Sequence, residues 1–97
     1  MSHFVYKLIP PRPTFAGDMS DAEAELMGQH FAYWSDQLER GHVVVFGPVA
    51  DPGGVWGLGV IEADDVVAAR ALVLDDPAIT SGLGTFELHP IDAIVRT

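Results

Sequence analysis

The stretch HVVVFGPVADPGGVWGLGVIEA, residues 42–63, decides the fold. Two runs rich in β-branched and aromatic residues flank DPGG, a turn sequence, so residues 42 to 62 read as a β-hairpin. A strand half exposed to water alternates apolar with polar residues, yet VVVF and VWGLGVI are apolar on both faces. Both faces of the hairpin therefore call for cover.

Upstream of the hairpin lies a helix. Ser20 and Glu23 have capping-box spacing, and Asp21 and Glu25 suit the positive end of a helix dipole. Ala24, Met27, Phe31, Trp34 and Leu38 follow at steps of three and four, and Gly41 supplies the stop. Before the helix, PPRPTFAGDM (10–19) reads as a loop that its three prolines stiffen, and HFVYKLI (3–9) reads as the first strand.

Downstream, Asp64 or Asp65 caps a second helix, VVAARALVLDD, with Val66, Ala69 and Val73 as its inward stripe. PAITSG breaks it, and TFELHPIDAIV (85–95) supplies a last strand, interrupted or bent at Pro90. The order β-α-β-β-α-β predicts an α+β, ferredoxin-like domain over residues 1–97, an antiparallel sheet with two helices on one face. Two helices cover one face only. A second copy is the simplest cover for the other, so a homodimer packed sheet to sheet, a dimeric α+β barrel, is expected.

Bulk properties narrow the function. The formal charge is −9, from 14 acidic and 5 basic side chains, which repels phosphate backbones and anionic lipid. Neither nucleic acid nor a membrane surface is an expected partner. The chain has no Cys, hence no disulfide and no thiolate chemistry. MSHFVYKLIPPRP lacks the features of a signal peptide, no apolar run approaches the ~20 residues of a membrane span, and a cytoplasmic location is expected.

His30 interrupts the apolar run MGQHFAYW (27–34), roughly 80° from the middle of the stripe on a 100°-per-residue wheel. That border is where a pocket between helix and sheet would open, although a polar residue merely tolerated there is the commoner case. Asp75 and Asp76 end the second helix, where the dipole disfavours carboxylates. Asp76-Pro77 serves simply as a helix stop, or Asp76 accepts a hydrogen bond from a histidine and fixes its tautomer. Gly47-Pro48 marks a bulge or a close backbone approach to a ligand. His3, His30, His42 and His89 show no ligand spacing, so no metal and no cofactor are expected.

Taken together, HFAYWSDQLERG, VVVFGPVADPGGVWGLGVIEADD and AARALVLDDPA resemble the YciI-like (YCII-related) family in element order and motif. The resemblance implies a dimeric α+β barrel and an active site built on a His–Asp pair, matched here by His30 and Asp76. It also implies cofactor-independent lyase or hydrolase chemistry on a small organic molecule. In that case His30 is the general acid/base, Asp76 its orienting partner, and Tyr33, Gly47 and Pro48 the candidate ligand contacts. The alternative is a non-catalytic dimeric module for small-molecule binding or assembly. A monooxygenase-like barrel enzyme would need inward polar groups that VWGLGVI scarcely offers.

Overall fold

The computed structural model describes all 97 residues. The elements are β1 (Ser2–Ile9), α1 (Phe15–Asp18), α2 (Asp21–Glu39), β2 (Val43–Val49), β3 (Trp56–Ala63), α3 (Val66–Leu74), α4 (Pro77–Thr80) and β4 (Thr85–Ile91). The expected βαββαβ order stands, with short helices α1 and α4 added where a loop and a break were expected. All strand pairs are antiparallel, in the ferredoxin-like order β2-β3-β1-β4. β4 ends at Ile91 rather than near Val95, because its last partner on β1 is His3 and no strand lies beyond it to pair with.

Strand alternation sets the two faces. Phe4, Tyr6 and Leu8 of β1 are buried and join Trp34, Ala69, Val73 and Ala78 from the helices in one core. The other face carries rows such as Val45–Val60–Val5 and Gly47–Leu58–Lys7, and no element of the chain covers it. Val66, expected to point inward from α3, is half exposed, while Ala69 and Val73 are fully buried.

The capping box forms as expected: Ser20 Oγ accepts from the Glu23 amide and Glu23 Oε1 from the Ser20 amide. The helix it starts is rotated from the expected orientation. Glu23, Leu26, Met27, His30, Tyr33, Trp34, Ser35 and Gln37 are its buried or half-buried positions, whereas Ala24 is exposed and Phe31 and Leu38 are 63% and 43% exposed. His30 thus lies within the inward face and not at its border. Phe31 lies edge-on to Phe46, with ring centroids 5.7 Å apart, and lines a cavity.

Candidate active site

The fixed point is Asp76, which is completely buried at the junction of α3 and α4. It is the N-cap of α4: Oδ1 accepts the Ala78 amide at 2.8 Å, and Pro77 occupies the first helical position. A carboxylate that looks misplaced at the end of one helix is well placed at the start of the next. Oδ2 accepts the Tyr6 hydroxyl at 2.7 Å and the Trp34 indole N–H at 2.8 Å. His30 Nδ1 lies 2.9 Å from Oδ1 and 2.8 Å from Oδ2.

Electrostatics follow from those contacts. Burial pushes the Asp76 carboxyl up, but the hydrogen bonds from His30 and Trp34, the His30 charge and the Tyr6 bond outweigh it. The net direction is below the usual carboxylate value, so Asp76 is ionised at neutral pH. Burial, the Asp76 charge and the bond to Asp76 push the Tyr6 phenol far up, which keeps it a donor. An ionised carboxylate only accepts, so His30 donates from Nδ1. In neutral imidazole the lone pair is then on Nε2, which has no partner in the chain and is not sealed from the surface.

His30 opens into a cavity of about 440 Å³ between α2 and the sheet. Such a volume suits a small organic molecule. Tyr6 and Leu8 of β1, Gly57 and Gly59 of β3, and Met27 and Phe31 of α2 are among its walls. The two glycines make room for their neighbours: a Cβ at Gly57 would come within 3.1 Å of Leu8 Cβ, and one at Gly59 within 3.3 Å of Tyr6 Cδ2.

Gly47 and Pro48 also line the cavity, as a ligand contact requires. Tyr33 does not. Its hydroxyl donates to the Leu72 carbonyl at 2.6 Å, and burial with the charges of Asp75, Asp76 and Asp36 pushes its phenol up to about 12. Tyr33 therefore ties α2 to α3 and stands outside the walls of this cavity. The other histidines are scattered: His3 approaches Glu62, His42 bonds Gln37 and His89 bonds Glu87.

Tyr6 and Trp34 are the site residues that sequence reasoning passes over. A weak signal exists, since a buried indole N–H and phenol O–H each need an acceptor. Trp34 also sits one turn beyond His30, at the i, i+4 spacing that puts two side chains on one helix face.

The model of the YCII-related domain matches residues 4–92. The chain belongs to the YCII-related family. Among solved structures, this YCII-related chain is similar to 5-chloro-2-hydroxyhydroquinone dehydrochlorinase (TftG) from Burkholderia phenoliruptrix, in complex with 2,5-dihydroxybenzoquinone. The likeness has a TM-score of 0.66 at 15% identity and covers 90% of each chain, which speaks to the fold. No curated protein matches the chain by sequence. No helix is long and apolar enough to cross a membrane.

Proposed function

We propose that this YCII-related protein is a small cofactor-independent enzyme of lyase or hydrolase type. His30 is its general acid/base, and a small organic molecule in the adjoining cavity is its substrate. The observation that carries the reading is the His30 Nδ1–Asp76 contact at 2.8 Å, with Asp76 itself held by Tyr6, Trp34 and the Ala78 amide. Asp76 fixes the ring and its tautomer, and Nε2 faces the ligand. Nε2 takes a proton from the ligand, the electron pair left behind forms a new double bond, and the leaving group departs with its own pair; His30 then returns the proton to the leaving group or to water. General acid/base catalysis of this kind contributes about 10²- to 10⁴-fold.

The dehydrochlorinase with the same fold supports this class of chemistry by analogy. The test is chloride release from chlorinated hydroquinones by the wild type and by His30→Gln. Turnover lowered by about 10²-fold or more in a folded His30→Gln variant supports the reading. Equal turnover in both proteins overturns it.

One observation favours a second reading, a binding module without catalysis. The cavity offers a single uncommitted polar side chain, which is enough to orient a ligand. Ligand binding with no turnover of any such compound selects it.

Both readings include a homodimer packed through the uncovered sheet face. The apolar row Val45–Val60–Val5 and the adjoining Leu58 support it.

A further inference from the structure

The cavity walls carry no carboxylate, no amide side chain and none of the five Lys and Arg. Four side chains with nitrogen or oxygen line it, and three of these are committed. Tyr6 and Trp34 donate to Asp76, and Trp56 donates to Asp51 at 3.0 Å. His30 Nε2 is the remaining side-chain polar atom, and its ring is matched by the buried negative charge of Asp76. An anion placed here would give up its hydration and meet a His–Asp pair with no net positive charge to offset that loss.

Two cations lie close by: Lys7, on the uncovered face of the sheet, has its Nζ 4.8 Å from the centre of the Trp56 ring, and Arg12 is held away by carboxylates. Arg12 belongs to the segment Pro10–Met19, of which Pro10, Pro11, Phe15, Ala16 and Met19 line the cavity. Its guanidinium makes a two-pronged contact with Glu23, at 2.8 and 2.9 Å, and bonds the Asp18 side chain at 2.8 Å and carbonyl at 3.0 Å. Thr14 closes the network by donating to Asp18 Oδ2 at 2.6 Å. The Arg12 guanidinium also lies 5.3 Å from the centre of the Phe15 ring. One residue on from Arg12, Pro13 abuts the hairpin turn at Gly54, where a Cβ would come within 3.0 Å of the Pro13 carbonyl oxygen. The segment is thus a wall fixed at two points, with its one positive charge spent outside the cavity.

We propose that Pro10–Met19 is the specificity element of this site, and that it selects uncharged, largely apolar ring compounds against carboxylates and phosphates. The proposal rests on the reading that the cavity beside His30 takes a ligand, but not on catalysis. The neutral hydroxyl of such a compound meets Nε2, and its ring meets the proline, Phe15 and Met19 side chains.

The experiment uses two matched probes at pH 7, neutral 2-naphthol and anionic 2-naphthoate, with affinities read from NMR shift changes at His30 and Ala78. Each is measured at 0.15 M and at 1 M NaCl, since the higher salt shortens electrostatic reach to ~3 Å and removes repulsion by the net charge of the whole chain. Expected is a preference for 2-naphthol of at least roughly tenfold at both salts, one order in the equilibrium constant. In D18N/E23Q, which removes the two negative charges that neutralise Arg12, the preference should shrink severalfold while the fold is retained by circular dichroism. Three outcomes overturn the proposal: 2-naphthoate bound as tightly as 2-naphthol, a preference that vanishes at 1 M salt, or no change in D18N/E23Q. Tight 2-naphthol binding by a protein that turns nothing over leaves this inference standing and removes the enzymatic reading. Turnover of an anionic substrate does the reverse.

Discussion

Asp76 accepts from four groups with one carboxylate: an amide, a phenol, an indole and an imidazole. Asn has one acceptor oxygen and turns an NH₂ toward donors. Asp76→Asn should therefore destabilise the protein by about 1–3 kcal/mol, the cost of leaving buried donors unpaired, as urea denaturation would measure. The pH dependence has a definite sign. The Asp76 carboxyl is held below its ordinary 3.8, so its contribution is complete above that value and is lost as the pH falls through the folded value beneath it. Wild-type stability should drop across this acid range by a step that Asp76→Asn lacks. From the residues alone, Asp76-Pro77 reads as a helix stop, and nothing local ties it to a histidine 46 positions earlier. The family resemblance pairs the two. Tyr6 and Trp34 stay hidden because a one-dimensional pattern shows that a buried donor needs an acceptor without showing which one.

At the scale of elements, the capping box and the hairpin turn can be read directly, because both depend on neighbours in sequence. The rotation of α2 cannot. Phe31 and Leu38 complete an apolar stripe on the helical wheel, but Phe31 serves the cavity and the helix buries the side centred on Trp34 and Gln37. A stripe cannot distinguish a residue that packs from one that lines a void. α1 and the Arg12 clamp are equally illegible, since their partners are set by how a proline-rich segment folds back. The clamp holds Glu23 down to about 2, so it should survive mild acid and loosen only as the pH approaches that value. Gly54 has φ +134°, and an Ala there would be strained and crowd Pro13. Gly54→Ala should cost about 1–3 kcal/mol by thermal or urea unfolding. It should also weaken 2-naphthol binding, by displacing the segment from its second anchor.

For the whole molecule, the βαββαβ order is legible because hydrophobic period and turn residues fix each element in place. The two-sided apolar pattern of β3 finds half its explanation in the core and half on the uncovered face. If two copies pair through that face, Leu58→Glu should raise the dimer dissociation constant by about 10²-fold or more in sedimentation experiments, as for a charge placed in the centre of an interface. Each copy carries a net charge of −9, so added salt should strengthen the wild-type dimer by screening repulsion. A monomer at all concentrations and salts would contradict the pairing.

In the proposed mechanism Asp76 holds His30 with its proton on Nδ1 and leaves Nε2 free to exchange a proton with a ligand. Long-range ¹⁵N–¹H correlation on the neutral imidazole reads this directly. The expected spectrum shows a protonated Nδ1 and an unprotonated Nε2 for His30, with the tautomer preference lost in Asp76→Asn. A proton on Nε2, or a preference unchanged in Asp76→Asn, would contradict it.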